Sequence, residues 1–261
     1  MKFNLNHNTL KTICAEELAN NIWNFYKTDK NGIKLKDICK ISVGITTLHD
    51  KAYIFQTQDI DDRFVFADTK LKGKVKIERT ILKPIIKGSK LKSESQSVNE
   101  FILFPYKKIN GKNQIIPENE IKVNYPLAYA YLLSIKSELD KRDNGKPNQV
   151  AWYAFGRSQS LDSSFGEKII FSPMNKEPNF IYYKNPECTF YSGYSIKYDG
   201  NPQDLLSQLN SERMADFVSA SSRDFRDGWK AYNKKIIDEF EIQPPEQKAI
   251  RNIPYIRQNV Y

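Results

Sequence analysis

The sequence predicts an α+β fold with a β-rich first part carrying long polar loops, followed by helices mixed with a few strands. Three observations carry this. Short β-rich runs crowd residues 38–106, and Gly, Asn, Asp and Ser clusters separate them. Apolar stripes at helical spacing occupy 126–142 and 201–218. The regular strand–helix alternation of a doubly wound, Rossmann-like sheet is absent.

In order, Leu10, Ile13, Cys14, Leu18, Ile22 and Phe25 predict a helix over 9–27 that stops at Lys30-Asn31-Gly32. Strands are predicted at Ile38–Val43, Ala52–Gln56, Arg63–Phe66, Lys74–Ile77 and Phe101–Tyr106. Pro126 suits a first helical turn, and Ala128, Tyr131, Leu132, Ile135 and Leu139 make one stripe. Lys141 and Arg142 complement that helix's C-terminal dipole, and Gly145 ends the unit. Lys168–Ser172, Phe180–Tyr183 and Phe190–Ile196 read as further strands. Asn201 caps a helix begun by Pro202, with Leu205, Leu206, Leu209, Arg213, Phe217 and Val218 on its period. A last helix is predicted over 230–240, before Gln243-Pro244-Pro245 breaks regular structure.

A chain of 261 residues buries roughly 70–75% of its unfolded surface. With 40% hydrophobic and 13% aromatic residues it is a folded protein. The net charge of +9 suits nucleic acid, an anionic membrane or an acidic partner. Cys14, Cys39 and Cys188 are scattered, and only His7 and His49 accompany them, so neither zinc spacing nor a disulfide framework is present. A reducing cytoplasm is the expected location. No run approaches 18 apolar residues, so no membrane partner is expected.

Three segments carry side chains suited to nucleic acid. Trp152-Tyr153-Ala154-Phe155-Gly156-Arg157-Ser158-Gln159-Ser160 follows no amphipathic period. Arg157, Ser158 and Gln159 suit phosphates and base edges, while Trp152 and Tyr153 either wedge a loop into a core or stack on a base. Gly44 opens a polar loop holding Thr46, Thr47, His49 and Lys51, whose competing reading is a turn that satisfies its own backbone. Residues 72–92 hold eight basic side chains against the single acid Glu78. There Lys83, Lys87 and Lys90 read as a phosphate-steering loop, with a solvated surface as the competing reading. Ser221 and Arg223, past the helix begun at Pro202, offer further donors. No dinucleotide fingerprint, phosphate loop or nucleophile elbow occurs. Glu120-Ile121-Lys122 matches only the tail of a nuclease pattern whose upstream Asp is missing.

The order of several segments resembles a known family. Val43-Gly44-Ile45-Thr46-Thr47 is followed by Leu82-Lys83-Pro84 with Lys87-Gly88, then Ile102-Leu103-Phe104-Pro105-Tyr106. Leu139-Asp140-Lys141-Arg142, the Trp152 run, Lys168-Ile169-Ile170 and Leu209-Asn210-Ser211 come next. Each is degenerate alone; their order resembles the TaqI-like C-terminal specificity domain of adenine-N6 DNA methyltransferases, including those fused or paired with type II restriction endonucleases. The resemblance covers roughly 35–245. It implies a target-recognition domain that grips duplex DNA beside a catalytic domain, which binds S-adenosylmethionine and flips the adenine. The family's Asn/Asp-Pro-Pro-aromatic motif and glycine-rich cofactor loop are not in this sequence; Asn124-Tyr125-Pro126-Leu127 does not match.

The resemblance thus implies recognition without methyl transfer or a cofactor in this chain. The catalytic part then lies on another polypeptide or in the rest of a longer one. Residues 1–32 become an interface segment toward it, 33–245 the recognition domain and 246–261 a tail. Two other readings stay open: an independent nucleic-acid binder, including of RNA, and a complete enzyme with an unrecognised site.

Overall fold

The computed structural model describes residues 32–243 apart from 224. The helix expected over 9–27 and the tail 246–261 lie outside the described residues. In chain order the principal strands are β1 Cys39–Val43, β2 Ile54–Ile60, β3 Phe64–Thr69, β4 Gly73–Glu78, β5 Leu82–Lys87 and β6 Glu100–Leu103. They continue with β7 Tyr106–Ile109, β8 Lys112–Ile115, β9 Lys168–Phe171, β10 Phe180–Tyr183, β11 Thr189–Tyr191 and β12 Tyr194–Tyr198. The longer helices are α1 Glu118–Asn124, α2 Pro126–Ser134, α3 Lys136–Asp140, α4 Pro202–Leu209 and α5 Glu212–Ser221. The fold is α+β, as the sequence predicts.

A six-stranded sheet runs β11-β5-β6-β2-β3-β4, with only β11 and β5 parallel among its neighbours. Phe55, Ile77, Ile102, Tyr131, Leu132, Leu139, Tyr153 and Phe155 belong to the core that joins this sheet to α1–α3. The Phe55 and Tyr131 rings meet edge to face at 5.2 Å. Each such buried side chain contributes about 1.5–3 kcal/mol. A four-stranded antiparallel sheet runs β10-β9-β12-β1. Its Ile41, Ile169, Phe171 and Ile196 pack with Leu205, Leu209, Met214 and Phe217 of α4 and α5. Strand β9 is buried throughout because successive side chains face opposite sides. Ile169 and Phe171 enter that core, while Ile170 joins Ile86, Leu91 and Phe190 in a third cluster.

The stretch expected as one strand over Phe190–Ile196 is split between the two sheets. β11 pairs with β5, and β12 pairs with β9 and β1. The break is at Ser192, with φ 50°, and at Gly193. A Cβ on Gly193 would lie 3.1 Å from Gly88 Cα and from the Phe171 carbonyl oxygen. A Cβ on Gly44 would lie 2.5 Å from the Phe190 carbonyl oxygen. The crossing is closed by hydrogen bonds from Gly44 N–H to the Gly193 carbonyl at 3.2 Å and from Ile45 N–H to the Phe190 carbonyl at 2.8 Å.

Four further expectations change. The Lys83–Lys87 stretch is strand β5 inside the larger sheet, not a loop; the apolar pair Ile85-Ile86 buries it despite Pro84. Lys90 alone stays exposed, in the turn Gly88–Lys90. The helix expected over 126–142 is broken at Ile135 into α2 and α3. The start of α2 is held from outside: the Glu78 carboxylate accepts from Leu127 N–H at 2.7 Å and Ala128 N–H at 2.9 Å. The stripe from Pro202 to Val218 is two helices. Asn201 caps α4 as expected, but Asn210 leaves the helix to bond both backbone groups of Phe180, and Ser211 caps α5. The helix expected over 230–240 shrinks to Lys234–Ile237.

The described ends meet. Ile33–Lys34 pairs antiparallel with Glu241–Ile242, and Glu239 forms ion pairs with Lys34 at 2.8 Å and Lys36 at 2.6 Å.

Candidate nucleic-acid interface

The fold joins two segments that lie a hundred residues apart. Gly156 N–H donates to the Thr47 carbonyl at 3.0 Å, and Arg157 N–H donates to the Thr46 carbonyl at 3.1 Å. Neither segment is a helix or strand here, so its buried carbonyls need other donors. Arg142 supplies most of them. Its Nη1 donates to the Ala154 carbonyl at 2.8 Å, its Nη2 to the Trp152 carbonyl at 2.7 Å and its Nε to the Leu139 carbonyl at 2.9 Å. Nη1 also reaches the Tyr53 hydroxyl at 3.1 Å and the Thr47 carbonyl at 3.4 Å. Tyr53 donates to the Tyr153 carbonyl at 3.0 Å, and burial drives its phenol well above the usual range. Asn148 donates to the Phe155 carbonyl at 3.0 Å, and Tyr106 accepts from Phe155 N–H at 2.7 Å. Phe155 itself meets the Tyr53 ring at 5.0 Å.

From sequence, Arg142 only complements a helix dipole; in the structure it is buried and serves the loops. Its position just before a left-handed turn was the signal. Asp143, Asn144 and Gly145 have φ of 50°, 60° and 77°, which sends the chain sharply back past the guanidinium.

This scaffold holds Arg157, Ser158 and Gln159 exposed in a row. The Arg157 guanidinium lies 3.4 Å from the Asp143 carboxylate. It borders a cleft of about 570 Å³ lined also by Leu48, Lys136, Lys146, Asn148 and Trp152. Leu48, at the tip of the other loop, is 40% exposed with φ 59°, and its side chain lies where a Cβ on Gly156 would be, 2.3 Å away.

Other expected contact residues are turned inward. Thr47 is wholly buried, its hydroxyl donating to Asp50 Oδ1 at 2.6 Å and accepting from His49 N–H at 3.0 Å. That is the self-satisfying turn of the competing reading, and it removes Thr47 from the surface. Tyr153 is buried and donates to the Ile116 carbonyl at 2.6 Å, so it is a core ring rather than a stacking platform. Trp152 is half-buried, with its Nε1 on Glu118 at 3.1 Å and the Lys136 ammonium 5.4 Å from its ring. Thr46 is half-buried, and its hydroxyl reaches the Gly44 carbonyl at 3.4 Å. His49 is half-buried, and burial lowers its pKa. Lys51 is exposed.

The remaining residues belong to other elements. Lys83 sits 3.7 Å from Glu187, and Lys87 lies 5.8 Å from the Tyr191 ring, both on β5. Ser221 is the last residue of α5 rather than part of a loop, and Arg223 lies two residues beyond it; both are exposed. Neither set is bonded into the Arg157 loop. Among the described residues there is no cluster of metal-ligating side chains and no helix long and apolar enough to cross a membrane.

No protein-family model matches the chain. Two curated proteins are similar to it. The type II restriction enzyme and methyltransferase RM.Eco57I of Escherichia coli is 26% identical over 239 residues, covering 81% of this chain and 24% of that protein. The type II methyltransferase M.BanIII of Aneurinibacillus aneurinilyticus is 26% identical over 228 residues, covering 84% of this chain and 37% of its own. The chain therefore spans about a quarter to a little over a third of the curated relatives it matches. Among solved structures, the type IIL restriction-modification enzyme MmeI in complex with DNA shares the fold, with a TM-score of 0.50 at 10% identity over 84% of this chain and 27% of that one. By sequence the chain is similar to part of two type II restriction-modification methyltransferases, and by fold to part of a type IIL restriction-modification enzyme.

Proposed function

We propose that this chain is a sequence-specific duplex DNA recognition module serving an adenine-N6 DNA methyltransferase or restriction-modification system. One observation carries the reading: two remote polar loops are locked together so that Arg157, Ser158 and Gln159 stand exposed, with Arg157 at the edge of a cleft. A guanidinium and an amide presented on a rigid frame suit the edges of guanine and adenine. Thr46, bonded to the Arg157 backbone, and the exposed Lys51 five residues on suit phosphate. The similarity to RM.Eco57I and M.BanIII supports the same reading, and the short share of each that it covers supports a module beside a larger catalytic body. In this proposal S-adenosylmethionine binds that body, and this chain contributes no catalytic group.

The test is selection of bound duplexes from a random pool by the purified chain, alone and with a candidate catalytic partner. A recovered short consensus whose affinity falls steeply with salt is expected. Recovery of unrelated sequences in both cases would sink the reading.

A further inference from the structure

The four-stranded sheet carries an electrostatic conflict. Lys40 of β1 and Lys197 of β12 are direct cross-strand partners. Both are exposed. Like charges placed directly opposite destabilise a strand pair. A third ammonium, that of Lys108 on β7, adds to the repulsion. The Lys197 pKa is lowered first by burial, then by Lys40 and by Lys108. Lys40, Lys108 and Lys197 form no ion pair among the described residues.

Gly166 links Lys197 and Lys108 in space. Gly166 leaves room for Lys197: a Cβ there would lie 3.4 Å from its Nζ. The Gly166 carbonyl is fixed from behind by the buried Lys168, which donates to it and to the Cys188 carbonyl, each at 2.7 Å. Gly166 and Lys108 line one groove of about 590 Å³, together with Lys83 and Lys107. Asp162 and Glu187 also line it, but Glu187 faces Lys83 and Asp162 accepts from the backbone and side chain of Asn113. A strand pair gains nothing from such an arrangement in the free protein. A bridging anion would offset it, and a lysine ammonium is a compact charge suited to phosphate.

We propose that Lys40, Lys108 and Lys197 form a seat for the DNA sugar–phosphate backbone, separate from the Arg157 loop and engaging the same duplex. This rests on the duplex-recognition reading. Thr46, whose carbonyl accepts from Arg157 N–H, is six residues beyond Lys40, a separation of at most about 20 Å at full extension, within the rise of one duplex turn, so both sites are within reach of one duplex.

The experiment uses the full chain and a labelled duplex carrying its selected consensus, with affinity measured across a salt series. The variants are Lys40→Gln/Lys197→Gln, Lys108→Gln and, as reference, Arg157→Ala. The double variant should weaken binding to consensus and scrambled duplexes alike. It should flatten the plot of log affinity against log salt by about 1.8, two released contacts. Its melting temperature should stay level or rise, because a repulsion is removed. An unchanged salt slope in both lysine variants overturns the seat while leaving duplex recognition standing. So does a fall in melting temperature that accounts for the lost binding. A wild-type chain that binds no duplex overturns the reading and the seat together. A slope that changes with inorganic polyphosphate but not with duplex assigns the lysines to another polyanion and overturns the seat.

Discussion

Gly88 and Gly193 pass each other at backbone contact, each so placed that a Cβ on it would lie 3.1 Å from the Cα of the other. The contact is where β5 of the large sheet meets the chain crossing from β11 to β12. A side chain at either site must push apart two sheets rather than displace a flexible neighbour. Gly44 is tighter, since its Cβ would lie 2.5 Å from a carbonyl oxygen. Gly88→Ala and Gly193→Ala are each expected to lower stability by about 1–3 kcal/mol, with Gly44→Ala at or above the top of that range. Urea unfolding midpoints check the order. Equal midpoints for Gly88→Ala and wild type would show that the crossing is loose.

Arg142 is bound to backbone carbonyls and a tyrosine hydroxyl, with no carboxylate among its hydrogen-bond partners in the described residues. Its removal leaves the Trp152 and Ala154 carbonyls buried without their main donor. Arg142→Ala is expected to cost about 3–5 kcal/mol, by the sum of two or more unsatisfied groups and a cavity. Arg142→Lys should recover only part, because an ammonium cannot span both carbonyls as a fork does. Denaturation curves of the two variants decide this, and a fully rescued lysine variant would refute the fork.

Arg157→Ala leaves the frame intact, because its backbone N–H, not its side chain, holds the Thr46 carbonyl. Stability should change by less than about 0.5 kcal/mol. If the guanidinium reads a base, the loss in affinity is about 1–3 kcal/mol and confined to one position of the bound site. Binding to a panel of single-substitution duplexes measures it. Uniform loss across the panel would move Arg157 from base reading to phosphate contact.

Leu48 holds a left-handed backbone that costs a leucine about 1–2 kcal/mol. Leu48→Gly should regain about 1 kcal/mol of that, less the small packing lost on Gly156 and the greater freedom of an unfolded glycine. A melting temperature below that of the wild type would show that packing outweighs the strain.

Burial brings the Lys168 pKa down to about 8, far below its value in an unfolded chain. Between those two values the unfolded chain binds the extra proton, so stability rises with pH. Below about 8 both states are protonated and the desolvation penalty is fully felt. Wild type should therefore gain roughly 1–2 kcal/mol on Lys168→Met when the pH goes from 7.5 to 9.5. Urea midpoints of the pair at the two pH values test it, and a constant difference would show that the two carbonyls keep the ammonium charged.

Local patterns were readable where one element decides its own shape. The cap at Asn201 and the strands near Phe64, Gly73 and Phe180 follow from turn residues and alternation. So does the irregular character of the Trp152 run. What could not be read depends on partners far along the chain. Nothing local says that Phe190–Ile196 belongs to two sheets, since the reason is Gly88 and Phe171 meeting Gly193. Lys83 and Lys87 look like a solvated loop because Pro84 and Gly88 punctuate it, yet Ile85 and Ile86 are needed by two separate cores. Tyr153 and Thr47 carry groups that suit DNA and spend them on the protein's own backbone. The pair Lys40 and Lys197 has no trace in sequence, because only the register of β1 against β12 brings it together.

Residues 33–34 and 241–242 lie side by side, latched by Glu239. The polypeptide thus enters and leaves this body at a single edge, like a loop of thread drawn through one eyelet. Such a body can be inserted into, or exchanged between, longer proteins at one junction without disturbing the path of the host. Under the duplex-recognition proposal, new DNA preferences can then be acquired by transplantation of a whole reader, leaving the chemistry of the recipient untouched.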